Sequence, residues 1–200
     1  MGRQSISKAR IRDPKKRENW VEELLPHFFT TGIKALPIDQ VLDIIQTSKA
    51  TFYKHFESHH EVVSCIVAKK LSDLELFVPI LRDESKTYQD RYKLAVAYIS
   101  KNLSDVHNVF LSDLKEVYPD LWNLIQSFKT VALGELRQFY INGINSGTFS
   151  NLDPDLMVLS DDLFFDALTN PEYLTEKGIN IQTAFDSYFE MRFHGILKQD

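Results

Sequence analysis

Two short apolar stripes separated by a polar turn, between Pro37 and Glu61, constrain the fold more than any other part of the chain. Pro37 suits the start of a helix, and apolar residues then recur at helical spacing. These residues are Ile38, Val41, Leu42 and Ile45. Ser48 is a suitable N-cap for a second helix from Lys49 to about Phe56, because its hydroxyl can accept a hydrogen bond from a backbone N–H. Two short helices joined in this way are typical of a helix-turn-helix.

Longer helices are predicted on both sides of this unit. Asp13 and Pro14 mark a helix start, and Thr31-Gly32 marks its end. The apolar stripe of this helix would cover the two short helices, which are too brief to be stable alone. The stripe consists of Trp20, Val21, Leu24, Leu25, Phe28 and Phe29. Ser58 and Glu61 form a capping box that begins the next helix.

The segment TSKATFYKHFESHHEVV resembles the signature of the TetR family of bacterial transcription regulators. In that family a valine-serine turn leads into a recognition helix that ends in a Tyr-x-His/Tyr-Phe motif. The resemblance covers Lys16 to Val63, and the order of the later helices is also similar. Two positions depart from the pattern: Gln46 replaces the usual glycine of the turn, and His59 replaces the usual lysine of the next helix. We expect an altered turn at Gln46 and a weaker, pH-dependent phosphate contact at His59.

The predicted DNA contacts fall on the second helix of the motif and on its ends. Lys49 and Thr51 are expected to read base edges, because lysine can donate to guanine and threonine can contact the thymine methyl group. Ala50 is small enough to let the helix lie deep in the major groove. Contacts to phosphate, which fix position without reading sequence, are expected from Thr47, Ser48, Tyr53, Lys54, His55 and His59. Packing against the first helix is the alternative for Tyr53 and His55.

Positive charge lies in the same part of the chain as the motif. Residues 1–70 contain 12 Lys+Arg and 8 Asp+Glu, a net charge of +4, whereas residues 71–200 contain 11 and 20, a net charge of −9. A basic surface favours nucleic acid, because it releases counterions from phosphate; a chance difference between the halves is the alternative. Lys15, Lys16 and Arg17 oppose the dipole of the first helix, and phosphate contact would explain their placement. Ordinary solvated charges are the alternative.

The remaining chain shows helical periodicity and no alternating strand pattern, so the predicted fold class is all-α. Later helices are predicted at 61–79, 88–103, 108–118, 119–144, 153–168 and 181–197. We expect three parts: a flexible basic arm at 1–12, a three-helix helix-turn-helix DNA-binding domain at 13–60, and a larger helical ligand-binding and dimerisation domain at 61–200. A plain disordered terminus is the alternative for the arm.

Composition and cysteine content point to the cytoplasm. A hydrophobic content of 44%, with 12% aromatic residues, is ample for a core. No apolar run is long enough to span a membrane, and the N-terminus lacks the apolar segment of a secretory signal. The single cysteine, Cys65, suits a reducing compartment and is expected to be a small core residue, with a redox sensor as the alternative.

The last two predicted helices are too apolar for the surface of a monomer, which indicates an isologous homodimer interface. The residues concerned are Leu156, Leu159, Leu163, Phe164, Phe165, Ala167, Ala184, Phe185, Tyr188, Phe189, Phe193 and Ile196. The resemblance implies the same arrangement, and a core-only role is the alternative. Aromatic residues could also line a cavity for an unidentified small-molecule effector. The candidates are Tyr92, Tyr98, Phe110, Trp122, Phe128 and Tyr140, for which plain core packing is the alternative.

Other classes of function have little support in the sequence. Adjacent residues on a helix point about 100° apart, so His59, His60 and Glu61 do not predict a metal site. No nucleophile with a base and no phosphate-binding glycine loop is present, so neither an enzyme nor a cofactor is expected. The chain is expected to be a ligand-responsive transcriptional regulator, a repressor that binds a palindromic operator in double-stranded DNA as a homodimer. The alternative is a TetR-like adaptor or coactivator that acts through protein–protein contacts.

Overall fold

The computed structural model describes residues 13–196, except for the side chain of Pro171. This part of the chain contains eleven helices and no β-strand, which confirms the predicted all-α class. The helices are α1 (Pro14–Thr31), α2 (Ile38–Ile44), α3 (Lys49–His55), α4 (His59–Glu75), α5 (Phe77–Leu81), α6 (Tyr88–Leu103), α7 (Asn108–Val117), α8 (Pro119–Asn145), α9 (Pro154–Leu168), α10 (Pro171–Lys177) and α11 (Ile181–Ile196). The predicted basic arm, 1–12, lies outside the described residues.

The helix starts that the sequence predicts around the motif are present as side-chain caps. Asp13 accepts a hydrogen bond from the backbone N–H of Lys16 at 3.2 Å. Ser48 accepts from the N–H of Thr51 at 3.2 Å, and Ser58 accepts from the N–H of Glu61 at 3.1 Å. Each cap satisfies one of the N–H groups that a helix start leaves without an intrahelical partner. These caps fix where α1, α3 and α4 begin.

The predicted helices differ from the structure in two places. The helix predicted at 61–79 is two helices, because α4 ends at Glu75 and α5 begins at Phe77. Pro79 is the third residue of α5, where its missing N–H removes no intrahelical hydrogen bond. Helix α10 was not predicted, since it is short and buries Leu174 alone among its described side chains. Its local signals are an Asn170 N-cap, a proline at the first position and Gly178 in the left-handed conformation at its end.

The turn between α2 and α3 has an unusual backbone. Gln46 has a φ of 47°, and it is the one non-glycine residue with positive φ in the described part of the chain. The next residue, Thr47, donates its N–H to the carbonyl of Leu42 at 3.1 Å and closes the turn. Glutamine therefore occupies a left-handed conformation that glycine adopts more easily. The free-energy cost that we expect at Gln46 therefore arises from this left-handed backbone conformation.

The helices pack around one continuous hydrophobic core. Helix α1 contacts α2 and α4 and also packs against α7, so it belongs both to the motif and to the rest of the molecule. Helix α8, the longest, contacts α4, α5, α7 and α9. Within the described residues, no helix combines the length and the apolar character needed to cross a membrane. The motif thus lies at one end of a helical body, with α1 and α4 as its supports.

Replacing Gln46 by glycine should stabilise the protein, because glycine adopts positive φ without the steric cost of a side chain. We expect the free energy of unfolding to rise by about 0.5–1 kcal/mol, after allowance for the greater freedom of glycine in the unfolded chain. Urea denaturation followed by circular dichroism measures the change. The matched control is Gln40→Gly, at an exposed position in the first turn of α2, which should lower the free energy of unfolding by up to about 1 kcal/mol. A destabilised Gln46→Gly variant would contradict this account of the turn.

Candidate nucleic-acid interface and ligand cavity

Helix α3 has one buried and one exposed face. Phe52 is fully buried, as is Phe56, which follows the helix. The opposite face is exposed and carries Ser48, Lys49, Ala50, Tyr53 and Lys54, with Thr47 and Thr51 half-buried at its edge. Seven of the nine predicted DNA contacts therefore lie together on one surface. We call this set of seven residues the α3 surface.

Polar groups of the α3 surface are held near the start of the helix. Lys49 lies 3.7 Å from a carboxylate oxygen of Asp39 on α2, and both side chains are exposed. An ion pair of this kind contributes little to stability and is easily exchanged for another anion. The hydroxyl of Ser48 lies 3.0 Å from that of Thr51 while it caps the helix. Lys49 is thus available to bind another anion. Ser48 and Thr51 form hydrogen bonds that also stabilise the first turn of α3.

The predicted phosphate contact of His55 is not supported, because its side chain is buried. It is 7% exposed, and its ring lies edge-on to Trp20 with centroids 5.1 Å apart. Burial, followed by the positive charge of Lys16, lowers the pKa of His55. Residue 55 lies three positions after Phe52 and so shares its buried face. Packing against the first helix, the alternative that the sequence left open, is what the structure shows.

His59 is also placed away from the α3 surface. Its Nε2 lies 2.7 Å from the carbonyl oxygen of Leu36, and its Nδ1 lies 2.9 Å from the hydroxyl of Tyr118. Because a carbonyl can only accept, Nε2–H donates to Leu36, and Nδ1 of the neutral ring accepts from Tyr118. The expected phosphate contact would require both bonds to break. The next residue, His60, pairs with Asp120 at 2.8 Å, so the start of α4 is bound to the junction of α7 and α8.

Arg17 connects three helices, unlike Lys15, which is exposed in the same first turn. Its Nη1 donates to the carbonyl of His55, the last residue of α3, and its Nη2 donates to Glu61 on α4 at 2.8 Å. The guanidinium also lies over the ring of Phe56, 4.4 Å from its centroid. Glu61 in turn accepts from the backbone N–H of Glu57. We call these interactions of Arg17 the Arg17 clamp.

The loop after α1 is fixed to α7 by a contact that the sequence did not predict. Asp113 is buried and accepts from the backbone N–H of Lys34 at 2.9 Å. Gly32 has a φ of 87°, and a Cβ atom there would lie 2.5 Å from Asp113 Oδ2. Only glycine therefore fits at this position. The close approach makes α7 part of the support of the motif.

A cavity of about 160 Å³ lies between the helices of the body. Its walls include Val67, Leu71 and Leu74 of α4, and other residues of α6, α7, α8, α9 and α11. Of the six aromatic residues proposed from the sequence, Tyr92, Phe110 and Phe128 line this cavity. The other three do not: they are Tyr98, Trp122 and Tyr140. Tyr98 donates instead to the carbonyl of Asp73, and Tyr140 donates to Asp161, both at 2.7 Å.

The two helices predicted to form a dimer interface differ from each other. On α9, Leu156, Leu159 and Leu163 are 62%, 52% and 63% exposed. Their spacing places them on one face, which we call the α9 leucine stripe. The predicted residues Phe185, Phe189, Phe193 and Ile196 of α11 are buried in the core of the same chain. The core-only alternative therefore holds for these four residues, whereas nothing in the described part of the chain covers the α9 leucine stripe.

A helix-turn-helix with an exposed second helix, set on a helical body with an internal cavity, defines a class of fold that solved structures share. No protein-family model and no curated protein sequence matches the chain. The structure is similar to that of a transcriptional regulator from Saccharomonospora viridis in complex with choline, with a TM-score of 0.74 and 14% identity over 94% of this chain and 100% of that one. It is also similar to the regulatory protein TetR from Rhodobacter sphaeroides, with a TM-score of 0.70 and 12% identity over 91% and 99%.

A third similar structure is a ketosteroid transcriptional regulator of Mycobacterium tuberculosis, with a TM-score of 0.63 and 15% identity over 96% of this chain and 100% of that one. Similar structures from other bacteria are also described as TetR-family regulators. The chain therefore has the fold of the TetR-family transcriptional regulators.

Removing the Arg17 clamp should destabilise the motif. Arg17→Ala removes the side-chain donor to the carbonyl of His55 and one of the donors to the carboxylate of Glu61, and we expect a loss of about 2 kcal/mol in the free energy of unfolding. Arg17→Lys should recover part of that loss, because lysine keeps the charge but lacks the planar fork. Urea denaturation measures both changes. Lys15→Ala, at an exposed position of the same turn, is the control and should change stability by less than about 0.5 kcal/mol. Equal effects of Arg17→Ala and Lys15→Ala would refute the clamp.

Acidification should weaken the bond between α4 and the body. Burial lowers the pKa of His59 from its usual value of 6.5, so the unfolded chain binds more protons than the folded chain as the pH falls. The contribution of His59 should be fully present above about pH 6.5 and be lost as the pH falls through the lowered folded-state pKa. Urea midpoints between pH 8 and pH 5 measure this dependence.

His59→Gln should reduce the slope of stability against pH, whereas His27→Gln, at an exposed position of α1, should leave it unchanged. The pKa of His55 is lowered in the same direction, so part of the slope should persist in His59→Gln. An unaltered slope in His59→Gln would show that the ring does not titrate as proposed.

Proposed function

We propose that the chain is a ligand-responsive transcriptional regulator of the cytoplasm that represses by binding double-stranded DNA. The observation that carries this proposal is the exposed α3 surface, which brings lysine, hydroxyl and small side chains together on one helix. A helix with this composition fits the major groove, where lysine reads guanine and hydroxyl groups contact bases or phosphates. The likeness to transcriptional regulators supports the same function.

Within the α3 surface, Lys49 and Thr51 are proposed to read bases, with Ala50 between them close to the groove floor. Tyr53 and Lys54, one turn further along, are proposed to contact phosphates. At the helix start, Thr47 and Ser48 would add hydroxyl and backbone N–H donors to phosphate. Lys15 and Lys16, at the start of α1, would extend this contact to the adjacent backbone. His55 and His59 take no part in the proposed contact, for the structural reasons given above.

We propose that the protein binds DNA as a homodimer. The α9 leucine stripe supports this, because three large apolar side chains exposed on one helical face are costly to leave in water. A second copy of α9 would cover the stripe in an isologous interface. The twofold axis would place two recognition helices in successive major grooves, and the operator would then be a palindrome.

Helix α4 is proposed to carry the signal from an effector to the DNA-binding surface. It forms part of the cavity wall through Val67, Leu71 and Leu74, and its first turn is bound to the motif by the Arg17 clamp. A ligand that prefers one position of α4 would therefore also select one orientation of α3. The affinity for the operator would fall by the ratio of the ligand's affinities for the two positions.

Selection of bound duplexes from a random DNA pool tests the proposal. The purified protein should enrich one palindrome, and Lys49→Ala and Lys54→Ala should each weaken binding by about tenfold or more. Lys49→Ala should also relax the preference at one base position, whereas Lys54→Ala should weaken all duplexes alike. The control Lys101→Ala, with the same charge change at an exposed position of α6, should leave the affinity unchanged.

Enrichment of no sequence, with binding that depends on salt alone, would reject sequence-specific regulation. Retention of a cellular regulatory effect by the Lys49→Ala, Lys54→Ala double variant would favour the adaptor function. In that case the exposed α9 leucine stripe would be the first surface to examine for protein contacts.

A further inference from the structure

The cavity wall has a chemical character that restricts what the cavity can hold. Apolar atoms alone form the accessible surface of the cavity, although several polar residues contribute to its wall. These residues are Lys70, Tyr92, Gln126, Lys129 and Thr169. Their polar atoms must therefore be directed elsewhere. The surroundings of Lys70, Lys129, Thr169 and Tyr92 show what their polar atoms face.

Lys70 is neutralised at the edge of the cavity. Its Nζ lies 2.8 Å from a carboxylate oxygen of Asp105 and 2.7 Å from the carbonyl oxygen of Asn102. The same ammonium lies 4.8 Å from the centroid of the Phe29 ring. Three favourable contacts thus surround this cation without any ligand. An anionic group in the cavity would have to compete with a carboxylate that is already in place.

Lys129, on α8, also lines the cavity and has two carboxylate partners. Its Nζ lies 2.7 Å from Asp162 and 2.5 Å from Asp166, both on α9. The hydroxyl of Thr169 donates to the carbonyl of Phe165 within its own helix segment at 2.8 Å. Neither side chain leaves a donor directed at the cavity. A cationic ligand would gain nothing here either, because both carboxylates already bind Lys129.

The hydroxyl of Tyr92 is buried beside a polar cluster around Asp161, but it has no hydrogen-bond partner among the described residues. Asp161 is fully buried at the centre of this cluster and accepts from Tyr140 and Tyr188, both at 2.7 Å. Burial, followed by the negative charge of Asp161, raises the pKa of Tyr92. The hydroxyl adds no accessible polar surface to the cavity, so Tyr92 lines it with apolar atoms only. A charged ligand in the cavity would therefore meet only apolar atoms and lose its hydration without compensation.

The size of the cavity sets a second limit. Its volume of about 160 Å³ is close to that of an apolar protein cavity of about 150 Å³ that stays dry and binds benzene. We propose that the cavity takes an uncharged apolar molecule with about the volume of a single aromatic ring. This inference names the class of effector for the proposed function, and its regulatory consequence rests on that function.

Three probes of nearly equal shape test the inference: toluene, benzoate and benzylamine. Titration calorimetry on the full chain, without DNA, should detect binding of toluene, with a dissociation constant at least about tenfold lower than that of either charged probe. Toluene should also raise the thermal midpoint of unfolding as its concentration increases, because it binds the folded state. Equal or tighter binding of benzoate or benzylamine, or no binding of toluene, would overturn the inference.

Two variants of α6 locate the binding. Val96→Phe places a ring at a residue of the cavity wall and should abolish toluene binding, whereas Leu94→Phe, on the exposed face of the same helix, should retain it. If Val96→Phe fails to fold, Ile125→Ala offers the opposite change, because it enlarges the cavity and should admit naphthalene. Unchanged toluene binding by Val96→Phe, or no binding of naphthalene by Ile125→Ala, would place the site elsewhere and overturn the inference.

Failure of the inference can be distinguished from failure of the proposed function. Toluene binding without any sequence-specific DNA binding would reject the regulator and support the ligand class. DNA selection that succeeds while all three probes fail to bind would support the regulator and reject the ligand class. If toluene binds and the DNA selection also succeeds, toluene should lower the affinity of the protein for the selected operator.

Discussion

The Arg17 clamp is the interaction on which the helix-turn-helix end of the molecule depends. Helices α2 and α3 contain seven residues each, too few to be stable in isolation, so their geometry has to come from their neighbours. Arg17 supplies it by binding the last carbonyl of α3 and a carboxylate of α4 with one planar group. Phe52 and Phe56 fill the space beneath, fully buried. The side chains of the α3 surface can keep a fixed arrangement because the opposite side of the helix is packed and hydrogen-bonded to its neighbours.

The local features of this structure could be predicted from sequence because they depend on neighbouring residues. The caps at Asp13, Ser48 and Ser58 each involve a backbone N–H three positions further on, and helix α6 has the predicted bounds. The all-α class follows from the same periodicity. By contrast, α10 has clear start and stop signals but buries too little apolar surface to show an apolar stripe. Helices α4 and α5 share one continuous apolar pattern, so the sequence does not show where one ends and the other begins.

The candidate site was less predictable, since its exceptions depend on distant partners. His59 meets Tyr118, 59 residues away, and Arg17 meets Glu61, 44 residues away. Nothing in the spacing of these residues distinguishes a buried structural contact from an exposed phosphate contact. The burial of His55 is different, because its position three residues after Phe52 gave a signal that could have decided between the two alternatives. The sequence predicted a cavity lined by aromatic residues. Only the tertiary packing shows that Tyr92 lines it and Tyr140 does not.

The apolar cavity also makes volume a variable to which this protein responds. An internal void of about 160 Å³ corresponds to space on the order of 100 mL/mol that water can occupy once the chain unfolds. Hydrostatic pressure therefore favours the unfolded chain, and it favours any conformer in which the helices around the void have closed on it. A molecule that fills the void removes this free space and makes the body less compressible. The packing that forms the proposed ligand site thus also makes the stability of the folded chain depend on pressure.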